Sequence, residues 1–198
     1  MKQDRALRTQ ALVLDAAAAE FAAHGFAGSN LQLMADRTGL SKGALYAHFP
    51  TKAALAAEMV RQFDLIWFGL LLAAERSPNP PLDVLKELLS DLTRHLQQDI
   101  RFIGGLRLVA EEGQASQELP RQFKELQQLL ATLVKRCQEP GAGRRTPQAA
   151  LVGQLLLALV LGLQQTTATS AADQSDAVVD RLNGMWDVLL RGLCLTPE

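Results

Sequence analysis

Few residues in this chain have the chemistry for catalysis or metal binding. Its 198 residues hold three histidines, His24, His48 and His95, and two cysteines, Cys137 and Cys194. The cysteines stand far apart, without the spacing of a metal site or a redox pair, and read as thiols of a reducing cytosol. Asp91, His95 and Asp99 recur four apart on one helical face. That spacing suits metal binding, but no fourth ligand or nucleophile accompanies it, and charge pairing along a solvated face is the stronger reading. Glu111-Glu112 sits at an expected helix end with no partner for acid–base work, and no glycine loop cradles a phosphate. We therefore expect no catalytic residue, no metal and no cofactor.

The informative stretch is instead one that could bind. Residues 29–52, SNLQLMADRTGLSKGALYAHFPTK, read as two short helices around a tight turn. Ser29 and Gln32 fit a capping box, flanking Asn30. Leu31, Met34 and Ala35 then recur at helical spacing. Gly39 stands where a left-handed residue is needed, and Leu40 is the apolar residue inside the turn. Ser41 suits the N-cap of a second helix over 42–48, which Pro50 stops. This is the helix-turn-helix plan, in which the second helix enters the DNA major groove. That helix would expose Lys42, Gly43, Ala44, Tyr46, Ala47 and His48 and turn Leu45 and Phe49 inward. Lys42 can reach a phosphate or a guanine edge, Tyr46 a phosphate, and the small residues let backbone approach the bases. Two ordinary core helices around a glycine turn would produce the same pattern. Thr51 caps the next helix, and its N-terminus with Lys52 makes a phosphate spot. Lys2, Arg5 and Arg8 lie on an expected flexible arm, free to follow the DNA backbone.

At these residues the chain resembles the tetracycline-repressor (TetR) family of dimeric transcriptional repressors. The resemblance runs from about Arg8 to Leu55. It includes Thr9, Phe21, Gly25-Phe26, Ala35, the run Gly39-Leu40-Ser41-Lys42-Gly43-Ala44-Leu45-Tyr46, His48-Phe49, Lys52 and Leu55. Two residues depart from the family pattern: Glu20 replaces an apolar residue, and Ala54 often an acid. The DNA surface so implied comprises Arg8, Ser29, Asn30, Gln32, Ser41, Lys42, Gly43, Ala44, Tyr46, Ala47, His48, Thr51 and Lys52.

The rest of the chain must position that surface. Nearly half of the residues are apolar (48%), Ala and Leu dominate, and no strand-like alternation of β-branched residues occurs, so an all-α fold is expected. Net charge is −1, so charge alone does not announce nucleic acid. Through Lys52, six Lys and Arg stand against four acids, and the remainder carries 14 against 17. A basic head on an acidic body fits this weak polarity. A first helix, about Arg8 to His24, buttresses the head. A long helix from Lys52 to about Glu75 belongs to head and body alike. Helices follow over about 82–98, 101–112 (closed by Gly113), 120–137, 147–169 (capped by Thr146 after a loop at 140–145) and 176–192. The functional division expected is a helix-turn-helix domain over 1–52 and a helical regulatory domain over 53–198.

The helix after Pro147 is apolar on nearly every side and must be buried all round. In so thin a body a second subunit is the natural cover. The resemblance implies a homodimer joined by the last two helices as a four-helix bundle, reading palindromic double-stranded DNA. It also implies a small effector that moves the long helix. Leu-rich surroundings suit a small apolar molecule. Candidate lining residues are Phe63, Trp67, Leu88, Leu92, Ile103, Leu106, Phe123, Leu126, Leu130, Leu157 and Leu161, with Arg107, Gln164 and Gln165 as polar anchors; plain core explains most of them as well. Gly105-Leu106-Arg107-Leu108 and the segment from Met185 to Leu193 also resemble the γ-butyrolactone autoregulator receptors of Streptomyces. Those receptors carry a tryptophan where this chain has Leu126, which leaves a pseudo-receptor answering to another ligand as the alternative. A helical enzyme and a protein-docking scaffold are the rival classes. No signal segment or bilayer-length apolar run is present, so a cytoplasmic protein without a membrane partner is expected.

Overall fold

The structure, a computed structural model, describes residues 2–138, 147–167 and 176–192. The loop expected at 140–145, the Thr146 cap and Cys194 lie outside the described residues. So do the side chains of Lys2, Arg5, Gln164 and Gln165.

The described residues form helices alone, as the composition predicts: α1 (Lys2–Gly28), α2 (Leu31–Thr38), α3 (Lys42–His48), α4 (Lys52–Arg76), α5 (Pro81–Gln98), α6 (Ile100–Ser116), α7 (Arg121–Gln138), α8 (Ala149–Thr167) and α9 (Asp176–Gly192). Several ends differ from expectation. α1 is helical from Lys2, so the basic residues before Arg8 do not form a loose arm. α6 runs past Gly113, which is buried against Pro120, and is closed by Gln117 in the left-handed region (φ 57°). α8 starts after Pro147 and Gln148, which are not helical.

Packing divides the chain elsewhere than at residue 52. One compact unit comprises residues 1–66 with 99–120, and the other 67–98 with 121–198. In the first, α1 packs on α6 and α2, and α2 on α3. Its core gathers Val13, Leu14, Ala17, Ala18, Phe21, Met34, Ala35, Leu45, Phe49, Leu55, Met59 and Leu108. Gly104 lets α6 approach α1 closely, since a Cβ there would lie 2.9 Å from the Ala18 carbonyl oxygen. The fully buried rings of Phe63 and Phe102 meet at 5.0 Å.

In the second unit, α5 packs on α7, α8 and α9, and α7 on α8. Leu85, Leu88, Leu89, Leu92 and Leu96 form the buried stripe of α5, and Phe123, Leu126, Leu130, Leu133 and Val134 that of α7. Such i, i+3, i+4, i+7 recurrence turns one apolar face inward. Trp186 of α9 donates its indole N–H to Thr93 Oγ1 at 2.9 Å, and the Thr93 hydroxyl in turn donates a hydrogen bond to the Leu89 carbonyl. One outer stripe of α8 (Leu151, Leu155, Leu159) and one of α9 (Met185, 60% exposed; Val188, 72%) stay exposed among the described residues.

Candidate nucleic-acid interface

The α2–α3 pair is built from its turn outward. α2 ends in Gly39 at φ 67°, ψ 14°. Gly39 N–H bonds the Asp36 carbonyl and Leu40 N–H the Ala35 carbonyl. This is a Schellman closure, and it turns Leu40 back onto the core. Ser41 then caps α3, its hydroxyl oxygen accepting the Ala44 N–H at 3.2 Å. Leu45 is fully buried and Phe49 nearly so, so α3 is held by one face. The opposite face carries Lys42, Gly43, Tyr46 (38% exposed) and Ala47 in solvent, with Ala44 and His48 half-buried. The result is a narrow ridge with a cation at its N-terminal end and a phenol one turn on.

The start of α2 differs from the expected capping box. Asn30 is the N-cap, its Oδ1 accepting the Gln32 N–H at 2.8 Å. The Gln32 amide reaches forward to Asp36, not back. Ser29 is buried and donates its hydroxyl to the Phe26 carbonyl, which takes it off the exposed surface. Glu20, one of the two departures from the family pattern, is fully buried in α1. Its Oε1 accepts the Asn30 N–H at 3.1 Å, and Arg37 stands 3.7 Å from Oε2. The carboxylate thus satisfies a helix-start amide for which an apolar side chain offers nothing.

Thr51 caps α4 as expected, accepting the Ala54 N–H at 2.9 Å. Lys52, expected to face a phosphate, turns inward. Its ammonium donates to the Ser29 carbonyl at 2.7 Å and the Ala27 carbonyl at 3.4 Å, and lies 5.0 Å from the centre of the Phe26 ring. Arg8 is exposed on α1.

Of the residues expected to line a ligand site, Phe63, Ile103, Leu106 and Arg107 fall in the first unit; the others fall in the second. Arg107 does not face an apolar interior: its guanidinium bonds the Ala22 and Ala23 carbonyls of α1 and the Glu111 carboxylate. Trp67 is fully buried, donates to the Gln122 carbonyl at 3.2 Å and meets the Phe123 ring at 6.0 Å. Leu88, Leu92, Phe123, Leu126, Leu130 and Leu157 are buried as well. A groove of about 530 Å³ opens instead beside α4 and α7, where Arg121 covers the Phe68 ring and Leu72, Glu75 and Gln128 form walls. Asp91 pairs with Arg94 at 2.7 Å, and Asp99 caps α6 through the Arg101 and Phe102 amides. Charge pairing and capping thus account for both carboxylates.

Residues 13–59 match the family model described as bacterial regulatory proteins, tetR family. The chain carries a TetR-family helix-turn-helix domain. Over 77 residues it is 38% identical to the HTH-type transcriptional regulator RutR of Escherichia coli K12, a match covering 39% of this chain and 36% of RutR. The chain thus spans little more than a third of the length of such curated relatives, which are transcriptional regulators rather than enzymes. Beyond the TetR-type head, the fold is shared more widely. The TetR-family protein CprB of Streptomyces coelicolor, solved with its operator, matches at TM-score 0.70 and 25% identity over 94% of this chain and 89% of CprB. An ArpA-like γ-butyrolactone receptor shares the fold at TM-score 0.71 and 23% identity, over 96% and 89% of the two chains.

Proposed function

We propose that this protein is a ligand-responsive DNA-binding transcriptional repressor that acts as a cytoplasmic homodimer. The observation that carries the reading is the α3 ridge. Lys42 and Tyr46 make no hydrogen bond or ion pair among the described residues, while Leu45 and Phe49 anchor the helix beneath them. A solvated cation and a phenol on a short, capped helix have no packing role, and they suit a phosphate-lined groove. Ser41, Gly43, Ala44, Ala47, His48 and Thr51 complete the contact surface. The α2 start, with Asn30 and Gln32 exposed, flanks it.

The exposed stripes of α8 and α9 support dimerisation, because Leu, Met and Val recurring along one exposed helix face are what a bundle interface buries. Twofold symmetry then makes the operator roughly palindromic. The effector is a small apolar molecule taken up in the leucine-rich interior formed by α5, α7 and α8. It releases DNA only if it binds the DNA-incompetent state more tightly, since equal affinity shifts nothing. The sequence resemblance to γ-butyrolactone receptors supports that class of signal. Leu126, buried where those receptors hold a tryptophan, favours a pseudo-receptor that answers to a different apolar ligand.

The test is titration of the protein onto labelled duplex from its own upstream DNA, with and without a γ-butyrolactone. Tight, salt-sensitive binding establishes the DNA reading. Release by the lactone identifies a receptor, and indifference to it a pseudo-receptor. Lys42→Ala and Tyr46→Ala should each weaken binding about tenfold while the melting temperature holds. Unchanged affinity in both variants would remove α3 from the interface.

A further inference from the structure

We propose that Arg107 and Glu111 of α6 are positioning residues for DNA reading. They hold the corner between α1 and α2 from which the helix-turn-helix continues. The proposal rests on the reading of α3 as the DNA-contacting helix.

The corner begins with a break. Gly25 interrupts α1 at φ 67°, ψ −171°, a conformation that L side chains avoid. A break inside a helix strands carbonyls before it and an amide after it. Here both sides are satisfied by one pair of side chains a turn apart on α6. Arg107 Nη1 donates to the Ala22 carbonyl at 2.9 Å and the Ala23 carbonyl at 3.2 Å. Glu111 Oε2 accepts the Phe26 N–H at 2.8 Å. The two side chains are joined to each other, Arg107 Nε to Glu111 Oε1, at 3.2 Å. The fit leaves no slack, because a Cβ on Gly25 would overlap the Glu111 carboxylate.

What the bracket holds leads directly to α2. Ser29 bonds back to the Phe26 carbonyl, Lys52 gathers the Ala27 and Ser29 carbonyls, and Glu20 takes the Asn30 amide. Asn30 then caps α2. From Gly25 to the first turn of α2 the chain is thus placed by directional, mostly charge-assisted bonds, which fix position more narrowly than apolar packing does. Neither Arg107 nor Glu111 lies on the exposed face of α3, so their effect on DNA must pass through geometry.

That separates a positioning role from plain stabilisation. Phosphate contacts tolerate a small misplacement and carry no sequence information, whereas base-edge contacts require register. The experiment compares wild type with Glu111→Ala, Arg107→Met and the conservative Glu111→Gln, whose amide oxygen can still accept the Phe26 N–H. Four quantities are measured on the full chain: affinity for a selected operator, affinity for an unrelated duplex, and the melting temperature and amide hydrogen exchange of the DNA-free protein. In Glu111→Ala and Arg107→Met, operator affinity should fall about tenfold, with non-specific affinity within about twofold of wild type. Exchange should quicken at 26–33 and stay unchanged in α5 and α7. Glu111→Gln should recover most of the operator affinity. Parallel loss on both duplexes together with a lowered melting temperature would make the pair merely structural and overturn the proposal. So would an unchanged affinity ratio. A wild type with no sequence preference would sink the reading of α3 instead. The exchange data would then still show whether the pair holds the corner, and unchanged exchange would refute that too.

Discussion

At the α1–α2 corner, Glu20, Lys52, Arg107 and Glu111 each reach a backbone group, two of them across 85 residues of chain. In the half built from α5, α7, α8 and α9, position is set mainly by stripes of leucine, with Trp186 on Thr93 as a buried polar contact. The contrast suits the two tasks of the proposed function. A surface that must meet base edges in register needs bonds that fail when an atom moves by an ångström. A body proposed to accept a ligand, and a partner subunit, is better served by contacts that slide and repack at small cost.

The contrast is tested hardest on the apolar side. Replacing Leu155 and Val188 together by glutamate should turn a dimer into a monomer by sedimentation velocity, because two carboxylates would enter a dry interface unpaired. A dimer that persists would move the interface off α8 and α9. On the polar side, Gly25→Ala should cost roughly 2–4 kcal/mol in chemical denaturation, combining left-handed strain with an orphaned Phe26 amide. A loss below about 1 kcal/mol would mean that the corner gives way as easily as the body does.

Smaller effects refine the comparison. Trp67→Phe removes the indole bond to the Gln122 carbonyl and some ring volume from a site with no exposure, so about 1–2 kcal/mol is expected from thermal melts. An altered ligand response without that loss would return Trp67 to the binding site. The smallest effect belongs to Asp187, whose carboxyl is held below its ordinary range by the hydrogen bond from Lys86 at 2.7 Å. A lowered folded-state value means that its stabilisation is complete above the usual carboxylate range and vanishes as pH falls through the lowered value. Both side chains are well exposed, so Asp187→Asn should shift the melting temperature by only about a degree at neutral pH and not at all in strong acid. A shift that survives acid would point to something other than charge.

What was legible in the sequence divides along the same line. Ser41, Gly39 and Thr51 act within four residues of their own positions, and each does what its type and place imply. The leucine stripes of α5 and α7 were readable for the same reason, since periodicity is local. Ser29 misled because its hydroxyl was claimed by Phe26, a consequence of the break at Gly25 that no capping pattern records. Lys52 resembled a phosphate ligand because its inward partners, the carbonyls of Ala27 and Ser29, belong to every residue type alike. Arg107 reads as a ligand anchor because it interrupts an apolar face, and only the packing of α6 on α1 reveals the carbonyls it serves. The run beyond Gly113 escaped because a left-handed Gln117 ends the helix where a glycine would be expected to.

The bracket also fixes an order of events during synthesis. Phe26 and Glu111 are 85 positions apart, and a ribosome adding about 5–20 residues per second needs about 4–17 s to cover that distance. For that interval the emerging N-terminal helices have their apolar faces but not the carboxylate that closes their corner. A nascent chain halted before α6 would therefore display the reading residues without the geometry to use them. For the same reason a head transplanted onto another body would need residues 99–120 to travel with residues 1–66, although they are not contiguous in the gene.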